Sequence, residues 1–286
     1  MMAEPRMRRE NVRWFVWGAL ALAALILVWA GGWGKRPPSA KASSRAGAME
    51  PSRAASPNTL ATPTERAIAR AGRDGKYSFV LFYRPREQAS EAMKDTFRRA
   101  NGKLGAKAVF LPVDIGAKAE AALVEKYRVR QAPLPLTLVM APNGAVVRAF
   151  TKAVDEKALG ESFVSAKVAE ALGALQARKL VAVCLQGAGT RHNAESKQAA
   201  QQFIADARLG GQAVLVMADP RKEADLLKRC GITSLPLEST VLMIVPPGRL
   251  VARVAGATTK DALMAKLVTA LASCGPGCSP GGCAPR

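Results

Sequence analysis

Histidine is nearly absent from this chain: His192 is the only one in 286 residues. A multi-histidine metal site and a histidine proton relay are therefore excluded. Aromatic residues make up only 5%, and most fall in expected strands, helices or a membrane segment. That scarcity argues against a single-strand nucleic-acid binder, which pairs basic grooves with aromatic stacking platforms. No helix-turn-helix, zinc-finger or RNA-binding signature is present either, so no nucleic acid is expected as a partner. Acidic residues are also few, 22 against 42 Lys and Arg, giving a formal net charge of +20. A near-neutral surface is thereby ruled out and anionic partners become relevant. The excess is spread along the chain and is densest in the short N-terminal tail and the tether after the first apolar run. What is abundant is apolar content, 49%, which excludes global disorder. The length suits two ordinary domains.

Residues 14–33 read WFVWGALALAALILVWAGGW, without a charge. Twenty such residues at 1.5 Å rise each span a hydrocarbon core. Trp14 and Trp17 stand at one end and Trp29 and Trp33 at the other, as interfacial anchors do. The expectation is a single-pass transmembrane helix behind a basic tail, residues 1–13. A cleaved signal peptide is the alternative, with Val28-Trp29-Ala30 as its cleavage site. Lys35, Arg36, Lys41 and Arg45 follow the span, so the flanking charges are nearly balanced. The short basic tail favours a cytoplasmic N-terminus with the soluble part extracytoplasmic, in a periplasmic-type location. Residues 34–62 are rich in Pro, Ser, Ala and Arg and have no apolar period; they read as a tether.

The rest of the chain repeats itself. Residues 64–83 read TERAIARAGRDGKYSFVLFY, an Ala-rich helix, a basic turn and a strand. Residues 168–185 read VAEALGALQARKLVAVCL, the same order again. Lys76 and Lys179 are 103 apart, Pro133 and Pro236 are 103 apart, and Gly144 and Gly248 are 104 apart. A near-constant offset over several motifs marks two tandem copies of one domain, residues 63–161 and 162–273. Each has about 100 residues, enough for its own core. Within each copy the order is helix, strand, helix, strand, helix, strand, strand, helix. In copy 1 strands are expected at 78–83, 108–115, 136–141 and 145–151, and a helix near 89–100. In copy 2 a strand is expected at 180–186, a helix at 194–208, a strand at 213–218, a helix at 221–230, a hairpin over 240–254 and a helix near 260–272. This pattern gives an α/β fold, a mixed sheet with helices on both faces.

The run Cys230-Gly-Ile-Thr-Ser-Leu-Pro236, the hairpin, and Val-Ala-Gly-Ala-Thr-Thr-Lys260-Asp-Ala-Leu263 together resemble the C-terminal half of thioredoxin. Copy 1, with its Ala-rich helix, Lys76, Val-rich strand and Asp114, resembles other thioredoxin-like domains. The resemblance covers residues 63–272 and implies two tandem thioredoxin-like domains. It also implies a cis proline beside the active loop, with Pro133 and Pro236 the candidates and Pro135 competing with Pro133.

The resemblance breaks at the chemistry. Thioredoxin activity needs Cys-x-x-Cys at the start of the helix after the first core strand, where the helix N-terminus lowers the first thiol's pKa. Copy 1 carries Glu87-Gln-Ala-Ser90 there, and copy 2 carries the loop from Gly187 to His192. A carboxylate or hydroxyl cannot perform thiol–disulfide exchange, so no catalytic residue is assigned at these positions. Glu87 and Ser90 suit the first turn of a helix. The glycine loop of copy 2, with Arg191 and His192, has the composition of a weak anion site.

Cys184 and Cys230 read as small buried apolar residues. Cys274, Cys278 and Cys283 stand in the Gly- and Pro-rich tail, residues 274–286. Three readings remain open for them: a soft metal ion such as Cu or Zn, redox or covalent linkage, or no specific role. Their spacing is not that of a zinc site. The leading expectation is a membrane-anchored, non-catalytic binding or scaffold module of the cell envelope with a protein partner and no required cofactor. Thiol–disulfide exchange or soft-metal handling by the tail is the alternative.

Overall fold

The computed structural model describes residues 61–272. The basic tail, the expected membrane segment 14–33, nearly all of the tether and the cysteine tail lie outside the described residues. Among the described residues no helix is long and apolar enough to cross a membrane.

Copy 1 opens with α1 (Pro63–Arg73). Thr62 caps it: Thr62 Oγ accepts from Glu65 N at 3.1 Å, and Glu65 Oε2 accepts from Thr62 N at 3.0 Å. This reciprocal pair, with Pro63 in the first turn, fixes where the helix begins. Then follow β1 (Tyr77–Tyr83), α2 (Gln88–Leu104), β2 (Ala108–Asp114), α3 (Ala121–Lys126), β3 (Leu136–Met140), β4 (Val146–Phe150) and the short α4 (Glu156–Gly160). Copy 2 repeats the order with α5 (Ala166–Gln176), β5 (Leu180–Leu185), α6 (Asn193–Ile204), β6 (Ala213–Ala218), α7 (Ala224–Arg229), β7 (Thr240–Val245), β8 (Arg249–Ala255) and α8 (Lys260–Ala272). Ser165 caps α5 as Thr62 caps α1, its Oγ accepting from Val168 N at 3.2 Å.

Each copy builds one four-stranded mixed sheet, ordered β2-β1-β3-β4 and β6-β5-β7-β8. The first two strands of each copy run parallel, and the other pairs are antiparallel. The central strand is buried on both faces, which explains its continuous apolar run. In β1, Val80 and Phe82 pack with Ile68 of α1 and Leu123 and Val124 of α3. Phe79 and Leu81 pack on the opposite face with Met93 and Phe97 of α2 and Leu159 of α4. In β5, Val181, Val183 and Leu185 meet α5 and α7. Ala182 and Cys184 meet Phe203 of α6 and Leu263 and Leu267 of α8. The expected mixed sheet with helices on both faces is therefore present twice, consistent with two thioredoxin-like domains.

The closing helix differs between copies: α8 has 13 residues, α4 only five. In copy 1 the rest of that space is filled by Phe163, whose ring lies 4.8 Å from that of Tyr77 and 5.8 Å from that of Phe79. Tyr77 Oη also donates to Val164 O at 2.7 Å and accepts from Val164 N at 3.2 Å. The link between the copies is thus pinned to copy 1. Helix α5 then lies against the open edge of the first sheet. Gln176 Nε2 donates to Val146 O at 2.7 Å, and Gln176 Oε1 accepts from Val146 N at 3.0 Å. Asn143 Nδ2 donates to Ala169 O at 2.8 Å. One side-chain amide so takes both hydrogen-bonding groups of an edge-strand residue that would otherwise be unpaired.

Candidate functional site

In an α/β sheet the carboxyl ends of the parallel strands, beside a change of strand direction, are where ligands bind. Each copy has such a place. In copy 1 it lies where β1 hands over to α2, next to the loop that leads into β3. In copy 2 the corresponding parts are the end of β5, the start of α6 and the loop into β7.

In copy 1 the loop Arg84-Pro85-Arg86 is exposed, and Arg86 turns the chain with a φ of 66°. Glu87 caps α2 through its backbone position, without a hydrogen bond from its side chain to the helix amides. Ser90 is fully buried, and its hydroxyl donates to Glu87 Oε2 at 3.3 Å. Lys94, on the same helix, pairs with Glu91 and lies 3.8 Å from the centre of the Tyr83 ring. Asp114 accepts from Gly116 N at 2.8 Å and so closes a turn at the end of β2. Glu87 and Ser90 stand at the helix start, as expected. Burial of the hydroxyl leaves no exposed nucleophile there.

Among the described residues the cis peptide bonds are Leu134–Pro135 and Pro246–Pro247. The expectation of a cis bond at Pro133 or Pro236 is thereby corrected, while the competing candidate Pro135 is cis. Strand β3 begins at Leu136, so the proline immediately before it is Pro135, which is buried, while Pro133 is exposed one step further out. In copy 2, β7 begins at Thr240, and the residue immediately before it is Ser239. Pro236 therefore lies three positions earlier in the loop.

In copy 2 the glycine loop is closed by its own contacts. Thr190 Oγ accepts from Gly187 N at 2.8 Å and lies 2.9 Å from Gly187 O and 2.6 Å from Asn193 Oδ1. Asn193 Nδ2 donates to Gly187 O at 2.9 Å. A Cβ at Gly187 would come within 2.7 Å of Asp219 Oδ1, and one at Gly189 within 2.5 Å of the Arg221 guanidinium. The glycines thus pack closely against the Asp219 and Arg221 side chains of the turn after β6. Arg191 bridges across to the loop before β7: its N donates to Leu237 O at 3.0 Å, and Ser239 N donates to its O at 2.8 Å. Its guanidinium is paired with Glu238 at 3.2 Å. His192 is exposed, in a left-handed backbone conformation with a φ of 61°.

The loop joined to Arg191 carries the most exposed large apolar side chain among the described residues, Leu237 at 74%, and a second, Leu235 at 54%; Val268 of α8 is exposed to a similar degree. Sequence reading missed the two leucines as site residues, because Leu-Pro-Leu beside a strand looks like part of the core. The absence of alternation between Ile232 and Thr240 is the signal that could have placed them outside.

The described thiols are separate. Cys184 lies buried in β5, with Sγ 3.7 Å from Ser239 Oγ and 3.8 Å from Gln186 Oε1. Burial pushes its pKa up. Burial also pushes the Cys230 thiol, just after α7, up to about 11. The two are not joined, and a protonated thiol is a poor nucleophile and a poor metal ligand. Among the described residues no cluster of three or more His, Cys, Asp or Glu could hold a metal ion. Cys274, Cys278 and Cys283 lie outside the described residues.

No protein-family model matches the sequence, and no curated protein matches it. Solved structures with a likeness to it include the germline-specific thioredoxin Deadhead of Drosophila melanogaster, 24% identical, with 35% of this chain and 90% of that chain covered and a TM-score of 0.29. The oxidised thioredoxin of Plasmodium falciparum is 18% identical over 34% of this chain and 86% of its own, with a TM-score of 0.27. A disulphide isomerase of Xylella fastidiosa is 20% identical over 31% and 70%, with a TM-score of 0.27. Each covers about one copy's length of this chain.

Proposed function

We propose that this chain is a membrane-anchored tandem thioredoxin-like protein whose folded copies bind a protein partner in the cell envelope and carry out no disulfide chemistry. One observation supports it above the others: at the end of copy 2 where a redox motif would sit, Leu235 and Leu237 stand exposed at 54% and 74% beside a loop with no reactive group. Exposed leucines on a loop fastened to the sheet by Arg191 form a preformed apolar contact for a partner. The paired Arg191 and Glu238 beside them supply a polar rim. The anchor over residues 14–33 would hold this surface near a membrane on a tether of about 30 residues.

The test uses alkylated insulin B chain, an unfolded apolar polypeptide without free thiols, as probe. Residues 61–272 are expected to bind it, and L235D/L237D to weaken binding by about tenfold or more. The same affinity in L235D/L237D as in the unaltered protein would contradict the proposal.

A further inference from the structure

The two copies differ most in what their first helices meet. The caps Thr62 and Ser165 and the basic residues Lys76 and Lys179 set α1 and α5 in register at an offset of 103. In α5 the outward positions Ala169, Gly173 and Gln176 lie against copy 1, with Ala169 O taking Asn143 and Gln176 clamping Val146. The same positions of α1 are Arg66, Arg70 and Arg73, all exposed. Spacings of four and three put them on one stripe of the helix. None forms an ion pair among the described residues. Arg66 Nη1 donates only to Ala61 O, at 2.6 Å. Beyond the helix, Lys76 Nζ donates to Gly105 O at 3.5 Å and Lys107 is exposed. Asp74 is the one carboxylate set among them.

The helix dipole favours cations in the last turn, which accounts for Arg70 and Arg73 in part. It gives no reason for Arg66, one turn from the N-terminus. The fold does not demand the arginines either, because α5 makes the same helix with alanine, glycine and glutamine. Helix α1 is also the first folded element after the tether, whose own cations include Lys35, Arg36, Lys41, Arg45 and Arg53.

We propose that the arginine face of α1 rests on an anionic lipid surface and so orients copy 1 against the bilayer. The proposal deepens the membrane-anchored reading above and rests on it. Guanidinium groups on a rigid helix meet several phosphate headgroups at once, and each basic residue near an anionic leaflet adds to the attraction.

Residues 61–272 contain every strand and helix of both sheets and both closed cores, so this fragment is suited to a vesicle flotation assay at about 0.1 M salt. It is expected to float with vesicles containing about one-third phosphatidylglycerol and not with pure phosphatidylcholine. R66E/R70E/R73E is expected to lower partitioning by about a hundredfold. A control of equal charge change on copy 2, K197E/K222E/K228E, is expected to lower it several-fold less. Equal losses in both variants, absence of flotation, or preference for polyglutamate over vesicles would overturn the proposal. Carbonate extraction of the full chain tests the anchor separately. Release of the chain would contradict the anchor and leave the vesicle result standing.

Discussion

Glu120 ends the 3-10 turn Lys118–Glu120, is buried, and accepts from Thr64 N at 3.1 Å and Thr64 Oγ at 2.9 Å. Its carboxylate therefore holds the start of α1 to the body of copy 1, where a negative group is favoured by the helix N-terminus. Its other oxygen, Oε2, has no hydrogen-bond partner among the described residues. Glu120→Ala leaves two buried donors of Thr64 unmet and is expected to cost about 1–3 kcal/mol in chemical denaturation. Glu120→Gln keeps Oε1 and removes the charge, and is expected to cost about 1 kcal/mol or less. Equal costs for the two would refute this role. Nothing in the sequence marks Glu120, because its partner is 56 positions away. Glu87 and Ser90 were legible as a helix start, since acidic and hydroxyl residues favour the first turn. The burial of Ser90 was not legible, because it depends on how α2 docks on the sheet.

At the scale of elements, the strands were the most legible part. Runs such as YSFVLFY and LTLVM are β-branched and aromatic between turn residues, and they form where expected to within a residue or two. The short closing helix of copy 1 was not legible, because Phe163 replaces it only through contacts with Tyr77 and Phe79 across the sheet. The choice between Pro133 and Pro135 turned on strand register, which a Pro-Leu-Pro sequence leaves open. Edge strand β4 shows what the join between copies requires. Its Val146 is served by Gln176, and the adjoining turn by Asn143. At the equivalent places of the repeat stand Arg73 in α1 and Pro247 in the second turn, neither of which could reproduce those hydrogen bonds. The join is therefore particular to this pair of helix and edge. The three tyrosines, Tyr77, Tyr83 and Tyr127, all lie in copy 1, and tryptophan occurs only within residues 14–33. Tyrosine fluorescence thus reports copy 1 alone, and circular dichroism reports both. In residues 61–272 the two melting curves are expected to coincide, and in N143A/Q176A to separate by several degrees. Coincident curves in the variant would contradict a coupling through this join.

Over the whole molecule, a net charge of +20 and a single histidine accompany two mixed sheets of the same strand order. At the end of the central strand stand a buried serine in copy 1 and a loop held by Thr190, Asn193 and Arg191 in copy 2. The two described thiols, Cys184 and Cys230, sit where burial raises their pKa. At neutral pH a thiol with a pKa of about 11, such as Cys230, is ionised in roughly one molecule in ten thousand. The cationic excess is not gathered in a folded groove. Its densest folded part is the outer face of α1, at the end of the tandem nearest the tether. The most direct test of a binding role without disulfide chemistry is an insulin-reduction assay on residues 61–272 with dithiothreitol as electron source. The account predicts a rate equal to dithiothreitol alone. Catalytic turnover by this fragment, which lacks the tail cysteines, would contradict it.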